Sequence, residues 1–172
     1  AFASALVITR NGMINAQGTA AKPIIFTTLA DDIESGMITS PNMDPTNNGL
    51  WGGIIILGKA SISAQNDTDQ DVSELQIEGI PTSVDALYGG NDDADNSGTL
   101  SYVSIRHGGA NIGDGNEING LTMGGVGSGT TINNIEIVAN QDDGIEWFGG
   151  SVSLNNVLVW NCGDDALDTD QD

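Results

Sequence analysis

The feature that most restricts this chain is internal repetition. A four-residue pattern, Asn/Asp–Gly/Ala–Leu/Ile–x, occurs as Asn48-Gly49-Leu50-Trp51, Asp85-Ala86-Leu87-Tyr88, Asn119-Gly120-Leu121-Thr122, Asp143-Gly144-Ile145-Glu146 and Asp165-Ala166-Leu167-Asp168, at intervals of 37, 34, 24 and 22 residues. The first four copies are followed closely by a large residue and a Gly-Gly pair: Trp51-Gly52-Gly53, Tyr88-Gly89-Gly90, Met123-Gly124-Gly125 and Phe148-Gly149-Gly150. A second element travels with the first. Ile132-Asn133-Asn134-Ile135-Glu136-Ile137 maps onto Leu154-Asn155-Asn156-Val157-Leu158-Val159 at a shift of 22, and Leu100-Ser101-Tyr102-Val103-Ser104-Ile105 maps onto the former at a shift of 32.

Each copy of the second element is a β-branched run with alternating polarity, broken by a small polar pair, and reads as two short strands. No segment carries a helical period. A unit of roughly 22–24 residues with three short strands cannot bury its apolar face alone, but it can when stacked on its neighbours. Equivalent strands then pair in parallel, ~4.8 Å apart. The expected fold is therefore all-β, a right-handed parallel β-helix or solenoid with ~22–24-residue coils and loop insertions. Leu121, Ile145 and Leu167 should form one inward column, Val103, Ile135 and Val157 a second, and Ile105, Ile137 and Val159 a third. The repeated asparagines should hydrogen-bond up the stack at one bend.

Composition agrees. Twenty-four glycines, 5% aromatics and 38% hydrophobic residues suit a turn-rich β architecture with a core. Four basic residues against 24 acidic ones leave a net charge of −20, which excludes a nucleic-acid partner and argues for cations or plain solubility. No apolar run approaches the ~20 residues of a membrane helix, so no membrane insertion is expected. The single cysteine, Cys162, excludes an intrachain disulfide framework.

Longer intervals mark insertions, expected at Thr28–Asn47, Ser63–Glu74, Gly89–Thr99 and His107–Ile118. Residues 1–172 read as a single β-helix unit. Phe2-Ala3-Ser4-Ala5-Leu6 starts within a coil-like pattern and the fifth copy breaks off at Asp172. We therefore expect either a longer chain or a capping subunit over the open ends.

Three chemistries come into question. Asp93, Asp95, Ser97 and Gly98, preceded by Asp92, match the first half of a Ca²⁺ loop, although Ser104 stands where a bidentate Glu belongs. The stacking itself places Asp143 over Asp165, Glu146 over Asp168 and Asp142 over Asp164. Carboxylates ~4.8 Å apart repel by ~0.9 kcal/mol in water and ~3.5 kcal/mol at an effective dielectric of ~20. Relief must come from exposure, turn amides, raised pKa values or a cation. The expected metal ligands are thus Asp93, Asp95, Ser97, Asp143, Asp165 and Asp168, with Ca²⁺ as the cofactor. Among the aromatics, Trp147 is expected to be exposed because Phe148 takes the slot before Gly-Gly. Trp147, Glu146 and Asp92 are the expected ligand contacts.

The chain resembles the pectate-lyase-like β-helix superfamily. Ile14-Asn15-Ala16-Gln17-Gly18-Thr19 and Lys22-Pro23-Ile24-Ile25-Phe26-Thr27 are similar to its I-x-A-x-G-T-x-x-x-P-I-x-F-T coil, and Trp51-Gly52-Gly53-Ile54 to the strand start that often follows. The chain is most like the β-helical segments of large exported bacterial surface proteins. The resemblance implies an extracellular or cell-surface module that binds a glycan or another surface protein. It also admits part of a polysaccharide-degrading enzyme, or a subunit of a surface assembly. Gly163-Asp164-Asp165 looks like the paired aspartates of the polygalacturonase branch. That branch's Gly-His-Gly and Arg-x-Lys are absent, and Asp142-Asp143 repeats the pair one coil earlier. No catalytic residue is therefore expected in this span, with Asp164 and Asp165 the alternative.

Overall fold

The computed structural model describes residues 4–66, 68–82, 84–111 and 118–171. Their elements are all strands. In order they are β1 (Leu6–Ile8), β2 (Ile14–Gln17), β3 (Ile24–Phe26), β4 (Ile54–Leu57), β5 (Ala64–Gln65), β6 (Asp71–Val72), β7 (Glu74–Gln76), β8 (Leu87–Gly89), β9 (Gly98–Arg106), β10 (Leu121–Gly124), β11 (Thr131–Val138), β12 (Ile145–Phe148), β13 (Leu154–Trp160) and β14 (Leu167–Asp170). No helix among them is long and apolar enough to cross a membrane. Residues 112–117, half of the expected insertion His107–Ile118, lie outside the described residues, as do Phe2, Ala3 and Asp172.

Two parallel sheets face one another. The first runs β1-β4-β10-β12-β14 and the second β13-β11-β9-β2, with β3 also pairing β9. All three expected columns form. Leu121 pairs Ile145, which pairs Leu167. Ile135 lies between Val103 and Val157, and Ile137 between Ile105 and Val159. Together with Ile54, Ile56, Leu100 and Ile132 these side chains form the interior between the sheets, except Leu167, which is 54% exposed on the edge strand β14.

The long strands bend where the polar pair predicted a break. Tyr102, Asn134 and Asn156, which occupy equivalent positions, have φ of 51°, 54° and 57°. Asparagine tolerates this left-handed backbone better than other side chains, which explains its recurrence. Asn156 Nδ2 donates to Asn134 Oδ1 (3.4 Å), Asn134 Nδ2 to Asn133 Oδ1 (2.8 Å), and Ser101 Oγ to the same oxygen (2.6 Å). The expected ladder up the stack thus forms, between side chains. Two further left-handed corners recur in register: His107, Ala139 and Asn161, and Gly125, Gly149 and Gln171.

Two copies of the repeat are placed differently from expectation. Ile54, not Leu50, pairs with Leu121, and Leu6 pairs with Ile54. Asp85-Ala86-Leu87-Tyr88 is not in the stack; Leu87–Gly89 pairs antiparallel with Glu74–Gln76. The reason is steric. The residue before each inward apolar side chain must be small, because a Cβ on Gly53 would meet Asn119 O at 2.4 Å and one on Gly120 would meet Ile137 Cγ2 at 2.6 Å. Gly49-Leu50 and Gly53-Ile54 both satisfy that local rule, four residues apart, and only tertiary pairing selects the second. The true offsets between stacked residues are 48 (Leu6 to Ile54), 67 (Ile54 to Leu121), 24 and 22.

The 67-residue offset accommodates the hairpins β5–β6 and β7–β8. The second lies against the outside of the first sheet. Ile77, Ala86 and Tyr88 pack there with Ile55, Leu57, Ile118 and Phe148 in a second core. This covers β4 on both faces, so Ile54, Ile55, Ile56 and Leu57 are all buried, the continuous apolar run of a two-sided strand.

The revised phase has a direct test. Ile54→Ala is expected to lose about 2–5 kcal/mol of unfolding free energy in denaturant titration. Leu50→Ala, at a half-exposed side chain, should lose about 1 kcal/mol or less.

Candidate metal and ligand site

Strand alternation decides which acidic residues meet. On β12, Ile145 and Trp147 point inward while Glu146 and Phe148 point outward. Register then lines up Ile55, Thr122, Glu146 and Asp168 on the outer face of the first sheet. The turn before each strand contributes Asn119 and Asp143 beside them. Beneath the β7–β8 hairpin this face is shielded from solvent: Asn119 and Thr122 are each 4% exposed, and Asp143 and Glu146 each 9%.

Asp143, Glu146 and Asp168 offer carboxylate oxygens that all lie within 4.8 Å of one another. Asp142, Asp143 and Asp164 form an adjoining group of the same kind. Asn119 Nδ2 donates to Glu146 Oε2 and to Thr122 Oγ1 (3.3 Å). The Oδ1 of that buried amide has no partner among the described residues. Asn140 bridges the turns from below, donating to Asp143 O (2.7 Å) and Ile118 O (3.2 Å). Asp165 stands apart as an exposed rim residue whose N–H donates to Asp143 Oδ1 (2.8 Å). Asp143 thus caps a turn N–H of the following repeat, the relief by turn amides expected from the sequence.

Crowding and burial show in the acidities. Burial, only partly opposed by the Asn119 N–H, pushes Glu146 up to about 8, with the charges of Glu78, Asp143 and Asp168 adding to the effect. Asp143 is also raised by burial, against the Asp165 N–H, with Asp168, Asp164 and Asp165 contributing repulsion.

The other predicted ligands lie elsewhere. Asp93 Oδ1 accepts from Ser61 N (2.9 Å), which holds its carboxyl below the ordinary range. Asp92 Oδ1 accepts from Ala94 N (3.2 Å), and Ser97 Oγ donates to Asp95 Oδ2 (3.3 Å). These are turn caps. Among the described residues, Asp92, Asp93 and Asp95 do not bring three carboxylates within 4.8 Å of one another. Trp147 also departs from expectation: it is half-buried and packs against the interior, because the two-residue period puts it on the same side as Ile145. The exposed indole is Trp160, 57% accessible.

Sequence reasoning missed Thr122 and Glu78 and the bonding role of Asn119. Asn119 shares its repeat slot with Asp143 and was legible to that extent. Glu78 arrives on an inserted hairpin that no periodicity signals.

The chain matches the family of the pectate-lyase like beta helix domain over residues 2–171, and it belongs to that family. The parallel sheets and repeats described above are those of a parallel β-helix, and membership is compatible with a carbohydrate-related module. No curated protein and no solved structure matches the chain.

The buried glutamate predicts a pH dependence. Below the ordinary glutamate range both folded and unfolded chains hold the proton. From there to about 8 only the folded chain does, so stability falls as pH rises and the loss is complete above that value. Glu146→Gln keeps the contact to Asn119 without the charge. It is expected to flatten this decline and to exceed the parent by a few kcal/mol, roughly, in urea unfolding above pH 8. Near pH 4 the two proteins should differ little.

Proposed function

We propose that the chain is a noncatalytic binding module, a right-handed solenoid with coils of roughly 22–24 residues, in an exported bacterial surface protein. It recognises a glycan or another surface protein outside the cell with the assistance of Ca²⁺. The observation that carries the reading is the convergence of Asp143, Glu146 and Asp168 beside the unpartnered Asn119 Oδ1. Two buried carboxylates and a third, half-buried one this close are relieved by a proton on Glu146 or by a cation. An all-oxygen donor set with an amide carbonyl suits Ca²⁺, a hard cation that accepts irregular geometry. The hairpin over the site is supplied by an insertion, and insertions on one side of a solenoid are where such folds place recognition. The ion would tie hairpin and sheet together and set the shape of that face.

Calorimetric titration of the full chain tests this. Ca²⁺ is expected to bind in the range of roughly 0.1–1 mM, as extracellular modules do, and to raise the melting temperature. Asp168→Asn should weaken binding by about tenfold or more, and Asp93→Asn should not. Absence of both heat and thermal shift ends the Ca²⁺ reading.

A second reading has one observation in its favour. Glu146, protonated near neutrality and flanked by Asp143 and Asp168, has the pairing of acid and base that glycoside hydrolysis uses. Release of reducing ends from polysaccharide, abolished by Glu146→Gln, would establish it over the first.

A further inference from the structure

The outer face of the second sheet carries a feature independent of the acidic centre. There the register lines up Ser104, Glu136 and Leu158, and beside them Arg106, Val138 and Trp160. Alternation turns these side chains away from the interior, which their neighbours Ile105, Ile137 and Val159 fill. Trp160 therefore presents its ring outward as a consequence of strand geometry.

The insertion that follows β3 folds back over this face and is pinned at three points. Arg106 Nη1 donates to Ile38 O (2.7 Å), His107 Nδ1 to Asn47 O (2.7 Å) and Asn161 Nδ2 to Pro45 O (2.6 Å). Between loop and sheet lies a cleft of about 350 Å³, with Ile38, Met43 and Pro45 on one side and Arg106, Glu136 and Trp160 on the other.

The hydrogen-bonding capacity of the cleft is partly unused. Arg106 Nε donates to Ser104 Oγ (2.7 Å) and Nη2 to Glu136 Oε2 (3.2 Å). With the bond to Ile38 O, three of its five N–H groups are engaged and two remain. Glu136 Oε2 accepts from both Ser104 Oγ and Arg106, whereas Oε1 accepts from no described residue, and its side chain is 39% exposed. The cleft thus offers an indole, a wall of apolar side chains and, without a partner among the described residues, two N–H groups of Arg106, whose side chain is 12% exposed, and one carboxylate oxygen of Glu136. The Arg106–Glu136 pair is neutral in sum.

A ligand that satisfies this set needs an apolar face for the indole and a rim of groups that both donate and accept. It must carry no net negative charge, because a chain of net charge −20 repels anions. A pyranose ring has that description: axial C–H groups on one face and hydroxyls around the edge. We propose that this cleft is a subsite for a neutral sugar, stacked on Trp160, with one hydroxyl donating to Glu136 Oε1 and another accepting from Arg106. The volume lies at the small end of ligand pockets, which suits a short stretch of a glycan and not a long one. The inference deepens the glycan-binding reading above, on which it rests. It does not depend on Ca²⁺.

The test is saturation-transfer NMR and calorimetry on the full chain, without Ca²⁺. The probes are neutral gluco-, xylo-, manno- and galacto-configured hexasaccharides, with an acidic uronan and a proline-rich peptide for comparison. At least one neutral oligosaccharide is expected to bind and to shift the Trp160 indole N–H resonance. Trp160→Ala, at an exposed position, should cut affinity by about tenfold or more. Trp160→Tyr should retain most of it, and Glu136→Gln should lose severalfold. Asp168→Asn should bind sugar normally, which separates this site from the acidic centre. The proposal is overturned if no neutral sugar binds, or if binding survives Trp160→Ala. It is equally overturned if the uronan or the peptide binds this cleft more tightly. Sugar binding that depends on Trp160 in a protein indifferent to Ca²⁺ would leave this inference standing and remove the Ca²⁺ reading.

Discussion

Parallel pairing between equivalent strands is the interaction from which the rest follows. Each strand exchanges its backbone hydrogen bonds with the counterpart in the next coil, so side chains two dozen residues apart become neighbours. That places like on like. For Leu121, Ile145 and Leu167 the result is a continuous apolar column. For glycines such as Gly120 and Gly144 it is the clearance that lets the turns nest; a Cβ on Gly144 would meet Val159 Cγ1 at 2.5 Å. For acidic residues it is repulsion that the surroundings must answer.

The answers differ with position. Asp165 stays exposed, and Asp143 is engaged by an N–H from the following coil. Glu146 is buried and receives an N–H from Asn119, which only partly offsets the cost of its burial. Its carboxyl is pushed up to about 8 and so favours the protonated form. The insertion therefore does more than decorate the stack. By laying Ile77 and Tyr88 over Ile55 and Phe148 it converts an exposed acidic column into a shielded one. The other insertion acts differently: it stands off from the second sheet and leaves a cleft around Trp160.

Much of this was legible in the residues. The second repeat, with its alternation and its polar pair, gave both the pairing register and the place where the strands bend, because both are local demands that recur at a fixed spacing; that the bend is left-handed came from the structure. The pairing of Glu146 with Asp168 followed from the same arithmetic. The first two copies of the shorter motif misled, since Gly-Leu and Gly-Ile four residues apart meet the same local requirement. In the Ca²⁺-like run Asp93-Ala94-Asp95-Asn96-Ser97 the structure shows Asp93 bonded to the Ser61 N–H and Asp95 to the Ser97 hydroxyl. Aspartates that cap turn N–H groups and aspartates that ligate a metal are drawn from the same turn-forming sequences.

The sequence alone determined that the chain stacks, which residues line the interior of the later coils, and that carboxylates would meet carboxylates. Those properties arise from periodicity, which is written in one dimension. The tertiary structure alone decided which carboxylates lose their water, which indole points outward over a cleft, and where the earlier coils begin. Burial depends on what an insertion of several dozen residues comes to rest against, and that contact is made by apolar side chains such as Ile77 and Tyr88 that belong to no repeat.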